Sequence, residues 1–221
     1  SARANAKNFN IDELKEAIEY CKLRNVKTNL TINTLLTDSE FDEAVSLAKT
    51  AYEFGIDAII VQDLGFAKYL IKHFPDLAIH ASTQMTVHNL EGVLELEKLG
   101  FKRVVLSREL PINEIEYIRN NCNIELEVFI HGALCISYSG QCLFSSLVGG
   151  RSGNRGKCAQ PCRLPYELLE AKNNKETSID KGFLLSPRDL CSLDFLAELI
   201  KCGVSSFKIE GRMKTPEYVA T

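Results

Sequence analysis

Apolar and polar positions along the first 130 residues follow two alternating periods. Apolar residues three and four positions apart are typical of amphipathic helices, and short apolar or alternating runs are typical of strands. The predicted helices span residues 11–24, 39–54, 64–74, 89–99 and 112–121, and the predicted strands span residues 27–33, 57–62, 77–82, 102–107 and 124–132. Repeated βα units of this kind predict a parallel sheet that is covered by helices.

The alternation breaks after residue 132 and returns near the end of the chain. Glycine-rich residues 149–157 predict a loop, and the segments PYELLE and GFLLSP predict a hairpin around a polar stretch. Residues 189–202 then predict a helix capped by Asp189, residues 204–211 predict a strand, and TPEYVA predicts the start of a further helix. We therefore expect one α/β domain over residues 1–221, with a cysteine-rich loop and hairpin inserted at residues 132–188.

The number of predicted strands limits the choice of fold. Six strands do not close a (β/α)8 barrel, so the alternatives are an open doubly wound sheet or a TIM-like barrel whose first units lie outside this chain. Neither the glycine-rich dinucleotide fingerprint nor a P-loop occurs in the sequence. A nucleotide cofactor is therefore not expected.

Composition places the chain among ordinary globular proteins, with 45% hydrophobic and 25% charged residues. A net charge of −3 gives no general reason to expect nucleic-acid binding, so such binding has to depend on local patches. The sequence has no run of eighteen apolar residues and does not begin with a secretion signal. A cytoplasmic location without a membrane contact is the expectation.

Four of the eight cysteines are concentrated within 28 residues. Cys135, Cys142, Cys158 and Cys162 follow the spacing C-x6-C-x15-C-x3-C in glycine-rich, basic sequence. Dense thiolates hold iron–sulfur clusters or zinc, and this spacing fits a [4Fe–4S] cluster better than the tight pairs of a zinc site. Zinc remains the alternative cofactor, and Cys191 is an alternative ligand to Cys162. The other three cysteines, Cys21, Cys122 and Cys202, are expected to be packing residues.

Polar side chains stand where each predicted strand ends. Carboxyl ends of parallel strands carry the active sites of α/β barrels, although the same residues also suit plain loop starts. The strand-end residues are Asn33, Gln62, Asp63, His80, Ser82, Thr83, Gln84, Ser107, Arg108, His131, Lys208, Glu210 and Arg212.

Basic residues surround the cysteines and recur in the later segments. Guanidinium groups clamp phosphates and carboxylates, so these residues suggest an anionic substrate; a solvated loop face is the alternative interpretation. The group consists of Arg151, Arg155, Lys157, Arg163, Arg188, Lys208, Arg212 and Lys214.

The segment HGALCISYSGQC closely resembles the signature of the collagenase-like "unassigned" peptidase family. ASTQMTVHN, VVLSREL, GNRGKCAQPCR, SPRDLC and SFKIEGRMK are similar to further blocks of that family. The resemblance implies a (β/α)8-like barrel of which two N-terminal βα units are missing here. It also implies a [4Fe–4S] cluster bound by the four clustered cysteines, of which Cys162 is the least secure ligand.

The same resemblance implies an RNA-modifying enzyme. Members include prephenate-dependent hydroxylases that form 5-hydroxyuridine at the wobble position of tRNA, and others modify ribosomal RNA cytidine or ubiquinone precursors. We therefore expect a tRNA or ribosomal RNA substrate and prephenate, a small dicarboxylate, as co-substrate. The expected catalytic residues are His131, Lys208 and Glu210, and the expected substrate-binding residues are Arg108, Arg151, Arg155, Arg163, Arg188 and Arg212.

Two other functions stay open at this point. A collagenase-like peptidase agrees with the family's label, but neither an H-E-x-x-H nor a G-x-S-x-G motif occurs and four clustered thiols exceed what a cysteine protease needs. The third possibility is an RNA-binding module that a metal stabilises.

Overall fold

A curled, half-barrel sheet with six parallel strands forms the framework of the computed structural model. The structure describes residues 8–172, 175–211 and 214–220. The strands are β1 (Asn29–Ile32), β2 (Ala58–Val61), β3 (Ala78–Ala81), β4 (Arg103–Val105), β5 (Glu125–Gly132), β6 (Tyr166–Lys172), β7 (Lys175–Gly182), β8 (Leu190–Cys191) and β9 (Ser206–Ile209). The parallel strands run in the order β1-β2-β3-β4-β5, with β9 parallel to β5.

Eight α-helices lie within the described ranges, and those between the first five strands connect parallel neighbours, as the sequence predicts. They are α1 (Ile11–Lys22), α2 (Asp38–Glu53), α3 (Leu64–His73), α4 (Leu90–Leu99), α5 (Ile112–Asn120), α6 (Phe144–Gly149), α7 (Leu196–Lys201) and α8 (Pro216–Ala220). The first five helices and the first five strands confirm the predicted alternation, and the predicted helix start at TPEYVA is confirmed by α8. None of the helices in the described ranges is long and apolar enough to cross a membrane.

Short polar side chains set the starts of the helices. Asn10 and Glu13 form a reciprocal capping box at α1, and the Asp63 carboxylate accepts a hydrogen bond of 2.9 Å from the Phe66 amide at α3. The cap of α2 is Thr37, where the sequence pattern predicted Ser39. Glu40 explains the difference, because its carboxylate accepts a 2.9 Å hydrogen bond from the Thr37 amide and so completes a capping box.

Alternate residues of the parallel strands form the hydrophobic core against the helices. Strand residues on this side include Ile59, Val61, Ile79, Val104 and Leu126, all of which are almost fully buried. Helix residues such as Ile18, Phe66 and Leu70 belong to the same cluster. Since successive side chains of a strand point to opposite faces, the residues between them face the other side of the sheet, here called the inner face.

The inner face carries a buried network of charged groups. The Glu127 carboxylate of β5 lies 3.1 Å from Arg103 of β4 and 2.8 Å from Lys208 of β9, and it accepts a 2.9 Å hydrogen bond from Ser206. Burial raises the pKa of Glu127, but Lys208, Ser206 and Arg103 lower it by more. The net result is a pKa below the usual range of a glutamate carboxyl. The carboxylate thereby joins three strands.

Two of the expected elements after residue 132 are wrong. The hairpin forms, but β6 pairs with β7 in antiparallel fashion and places Tyr166 opposite Gly182, whereas the sequence suggested GFLLSP as the partner strand. The short connection explains this register, since it pairs residues that are close in sequence. The apolar residues of GFLLSP thus lie just beyond the hairpin.

The predicted helix over residues 189–202 is also wrong in its first half. Residues 190–191 form β8, which pairs antiparallel with the end of β5, and the Ser192 amide donates a 2.9 Å hydrogen bond to the Ile130 carbonyl. This tertiary pairing holds residues 190–191 extended, so Asp189 caps no helix; a 3-10 turn at Leu193–Phe195 then leads into α7, which begins at Leu196.

Substituting His80→Leu should reduce the pH dependence of stability. Burial and the positive charge of Arg103 lower the pKa of His80 from 6.5 to about 4. Between these values the unfolded chain binds more protons than the folded one, so the free energy of unfolding falls as the pH falls, by on the order of 2–3 kcal/mol. The variant should lose this slope.

Urea unfolding near neutral pH and near pH 4 measures the slope. His73→Gln is the matched control, because His73 lies exposed at the end of α3 and the variant should keep the slope of the natural protein. A slope in His80→Leu as steep as that of the natural protein would contradict the assignment.

Candidate active site

Polar side chains on the inner face meet where the strands end. Asn33, Gln62, Ser82 and Ser107 follow β1, β2, β3 and β4, and together they are called the carboxyl edge. Asn33, Gln62 and Ser82 each come directly after a paired strand residue whose side chain faces the helices. Because successive side chains alternate, their own side chains point to the inner face. The Asn33 amide lies 3.4 Å from the Ser82 hydroxyl, which links two of the strand ends directly.

Residues 133–165, here called the cysteine loop, dock on this edge. Ser139 donates hydrogen bonds from its amide (3.0 Å) and its hydroxyl (3.1 Å) to the Glu109 carboxylate beyond β4. The hydroxyl of Thr86, beyond β3, donates a 2.6 Å hydrogen bond to the Ser139 carbonyl and accepts a 2.8 Å hydrogen bond from the side-chain amide of Gln141. The loop is therefore held at fixed places between its first two clustered cysteines.

A glycine permits the closest approach of the loop to the edge. Gly140 has a φ of +75°, and a Cβ built on it would lie 2.7 Å from the carbonyl oxygen of Gln84. Only a residue without a side chain tolerates both the left-handed backbone and this contact. Cys142 follows two residues later, so the backbone of Gln84 lies next to the part of the loop that carries Cys142.

The thiols of the cysteine loop are grouped. Partial burial raises the pKa of Cys135, and the neighbouring thiols of Cys142 and Cys162 raise it further, while a backbone hydrogen bond at Ser137 lowers it. Gly153 lies between Cys158 and the backbone of Cys142. A Cβ built on this glycine would lie 3.6 Å from the Cys158 Cβ and 3.8 Å from the Cys142 carbonyl oxygen.

The grouping does not amount to a ready site for a single metal ion. Among the described residues, no three histidine, cysteine, aspartate or glutamate side chains are arranged to hold one ion. Thiolates are soft donors, which suit zinc and iron–sulfur clusters alike. Cys191 lies elsewhere, on β8, where it is paired with His131 of β5.

Arg108 and Glu210 form an ion pair beside the cysteine loop. The Arg108 guanidinium lies 3.2 Å from the Glu210 carboxylate, donates to the carbonyl of Ala133, and stacks 3.7 Å from the centre of the Phe129 ring. The Glu210 amide in turn donates a 2.9 Å hydrogen bond to the His131 carbonyl. The pair thus connects the start of the cysteine loop to β5 and to the end of β9.

The other two expected catalytic side chains have separate partners. The His131 ring stands 5.1 Å from the Tyr218 ring of α8, measured between the centres. Lys208 points to the inner face, where its ammonium group bonds Glu127. Their catalytic roles stay predictions.

Arg155, one of the expected anion-binding residues, is engaged within the protein. Its guanidinium donates hydrogen bonds of 2.6 and 3.0 Å to the Glu40 carboxylate at the start of α2. The hydrogen bond from Arg155, followed by those from Thr37, lowers the pKa of Glu40 to about 2. An anion would have to compete with this carboxylate for Arg155.

The remaining expected anion-binding residues differ in how many hydrogen bonds they make within the protein. Arg163 donates 2.7 Å to the Leu134 carbonyl and 3.3 Å to the Ser186 hydroxyl, so it holds the cysteine loop against the segment after the hairpin. Arg151 is exposed and donates to the Lys157 carbonyl, and Arg188 is exposed. Arg212 lies outside the described residues.

Sequence reasoning missed the residues that anchor the loop. Thr86, His88, Glu109 and Ser139 were not among the candidates, yet the His88 Nε2 atom lies 3.4 Å from Glu109 and its ring contacts Tyr138 edge-on at 5.2 Å. The available signal was the presence of Thr86, His88 and Glu109 in the polar segments after β3 and β4. The contacts of the four residues with one another join positions at least 21 residues apart, so spacing alone does not reveal them.

Comparisons with known proteins give a consistent result. The family described as "Peptidase family U32" matches residues 1–221. The chain is 42% identical over 99% of its length to a 23S rRNA 5-hydroxycytidine C2501 synthase of Escherichia coli, and 36% identical over 99% of its length to the tRNA hydroxylation protein P1 of Bacillus subtilis. It is 40% identical over 98% of its length to an uncharacterized protease of Methanocaldococcus jannaschii. The chain covers 32%, 53% and 54% of these three relatives, respectively.

Substituting Gly140→Ala should detach the cysteine loop from the carboxyl edge. The added Cβ would meet the Gln84 carbonyl at 2.7 Å, so the hydrogen bonds of Ser139 and Gln141 have to break or the sheet edge has to shift. We expect a loss of about 1–3 kcal/mol in stability and increased hydrogen exchange confined to residues 133–165 and the segments after β3 and β4.

Gly149→Ala provides the control, because its φ is not positive and no atom lies within 4 Å of an added Cβ. That variant should exchange like the natural protein. Hydrogen exchange followed by mass spectrometry compares the three proteins, and equal protection of the loop in Gly140→Ala would refute the docking described here.

Proposed function

The chain belongs to peptidase family U32, and on that basis we propose that the protein that carries it hydroxylates a pyrimidine base in RNA. The observation that carries the proposal is the cysteine loop, which contains grouped thiols and docks through Ser139 on the segments that follow β3 and β4 of a parallel sheet. In α/β barrels this edge is where reacting groups collect. Wobble uridine of tRNA is the preferred target, and ribosomal cytidine is the other.

The named relatives support the proposal and limit its reach. Two relatives named for rRNA or tRNA hydroxylation align with 99% of this chain, so the alignment includes the cysteine loop and the carboxyl edge. The chain spans only about a third to a half of the relatives' length, which leaves room for further segments in the whole protein. We propose that such segments complete the barrel and contribute to RNA binding.

Cys135, Cys142, Cys158 and Cys162 would hold a [4Fe–4S] cluster, with Cys191 as the alternative to Cys162. Such a cluster, when bound, supplies electron transfer or a Lewis-acidic iron. The mutual effect of the Cys135, Cys142 and Cys162 thiols and the soft donor set support this assignment. Zinc is the alternative occupant.

Arg108 is suited to hold the small dicarboxylate donor, for which prephenate is the candidate. Arg108 already binds one carboxylate, that of Glu210, and its guanidinium is fixed by the Ala133 carbonyl and the Phe129 ring. A donor carboxylate that replaced Glu210 on Arg108 would leave Glu210 able to accept a proton. His131 and Lys208 are the further candidates for proton transfer, and the exposed Arg151 and Arg188 are the candidates for RNA phosphates.

Peptidase activity is the second candidate, because the family bears that name. A hydrolytic serine needs an imidazole in contact with its hydroxyl. Among the described residues, the Ser139 hydroxyl donates to the Glu109 carboxylate and accepts from the backbone amide of Arg108, and the His88 ring lies on the same carboxylate, 3.4 Å away. The carboxylate therefore separates hydroxyl from imidazole, which disfavours a triad at this place.

Substituting Cys142→Ala should abolish both the cluster and the RNA modification. The full-length protein, purified without air, should be brown, with an absorption band near ~400 nm and about four iron and four sulfide per chain. Nucleosides from tRNA and ribosomal RNA of a deletion strain, analysed by mass spectrometry, should regain the hydroxylated pyrimidine with the natural gene and not with the variant.

Cys21→Ala is the control, since Cys21 lies in α1, away from the loop, and the variant should retain colour and modification. Modified RNA from a colourless Cys142→Ala protein would rule out the role of the cluster. A colourless natural protein with one zinc and RNA binding without turnover would indicate the structural module, and cleavage of gelatin would indicate the peptidase.

A further inference from the structure

Three buried polar atoms, two of them at the carboxyl edge and one just beyond Ser82, have no hydrogen-bond partner within the part of the chain that the structure describes. They are Oε1 of Gln62, Oε1 of Gln84 and Oγ of Ser107. Gln62 is only 9% exposed and projects from the end of β2 onto the inner face, and Ser107, two residues after β4, is only 4% exposed. A buried acceptor left unpaired costs about 1–3 kcal/mol, so several such atoms on adjacent strands indicate a place built to bind something.

The hydrogen bond of Gln62 fixes which kind of ligand can bind. Its Nε2 atom donates a 3.3 Å hydrogen bond to the backbone carbonyl of Gln84. A carbonyl only accepts, so the amino group has to face it and the Oε1 atom has to face the site as an acceptor. The ligand must therefore present an N–H or O–H group, and a carboxylate or phosphate oxygen does not fit there.

We propose that Gln62, Gln84 and Ser107 form the site that receives the target pyrimidine, with the glutamine oxygens accepting N–H groups from its Watson–Crick edge. This inference rests on the proposed function and names the part of the protein that reads the base. Uracil offers its N3–H group and cytosine its N4 amino group to such acceptors. Enzymes that modify a base commonly turn it out of the stack and bind this edge in a pocket.

The position of the site relative to the cysteines agrees with this assignment. Gly140 lies against the backbone of Gln84, and Cys142 follows two residues later in the same loop. Thr83 connects Gln84 to β4, because its hydroxyl donates a 3.2 Å hydrogen bond to the Leu106 carbonyl next to Ser107. A base held by the three side chains would thus lie beneath the loop that carries the thiols.

Binding of defined RNA strands tests the inference without requiring turnover. The probes are a single-stranded RNA of purines with one uridine, the same strand with one cytidine, and the same strand with an abasic ribose at that position. The full-length natural protein should bind one of the pyrimidine strands roughly tenfold more tightly than the abasic strand. In Gln62→Met and Gln84→Met this preference should fall to within about twofold, with the affinity for the abasic strand unchanged.

Methionine keeps the length of glutamine and removes its hydrogen bonds, and circular dichroism establishes that each variant is folded. Gln84→Met gives a second test if Gln62→Met is unstable, because Gln62 bonds the backbone carbonyl of Gln84, which this substitution keeps. Asn123→Ala, an exposed change before β5 at the opposite end of the sheet, should keep the full preference.

Folded variants that retain the tenfold preference would overturn the inference, as would a natural protein that binds all three strands equally. The RNA hydroxylation assay runs in parallel and separates the two proposals. Hydroxylation with no preference for a pyrimidine strand means that the base is bound elsewhere and the proposed function stands. Neither hydroxylation nor RNA binding means that the proposed function and the base site fail together.

Discussion

The buried carboxylate of Glu127 is the interaction on which the arrangement of the sheet most depends. Its partners, Arg103 and Lys208, come from strands on either side of β5, and Lys208 reaches it from beyond the whole cysteine-rich segment. Removing one partner of such a group leaves a charge in a poorly solvated place, which is costly. The network therefore favours the register in which β9 lies beside β5, and this register in turn brings Glu210 next to Arg108.

The site combines this rigid scaffold with a loop that has little regular structure of its own. Backbone groups of the loop bond to side chains that follow β3 and β4, and Arg155 and Glu40 bind the glycine-rich part to the start of α2. Function commonly resides in loops that a rigid framework positions. Here the framework supplies neutral amides and hydroxyls at the strand ends, while the loop supplies thiols and three of the six arginines that are expected to bind the substrate.

The sequence predicted the elements that depend on local pattern. The five βα units were predicted because each contains its own periodicity, and Cys122 was expected to pack and is buried in the core. The segment around Cys191 was assigned to a helix because its extended form depends on pairing with β5, some 60 residues earlier. Arg155 was assigned to anion binding for the same reason, since its partner Glu40 lies 115 residues away in sequence. In the candidate site, spacing identified the cysteines, whereas only the fold reveals which way the Gln62 amide faces.

The pairing of β8 with the end of β5 also bears on how this family can evolve. His131 and Gly132 lie opposite Cys191 and Leu190, so the chain leaves the sheet and returns to it at neighbouring strands, roughly 5 Å apart. A segment whose two ends are neighbours can change length or content at little cost to the sheet, because the closure entropy grows only slowly with length. The cysteine-rich segment can therefore vary in length and sequence, and with them its substrate contacts, while the parallel sheet stays the same.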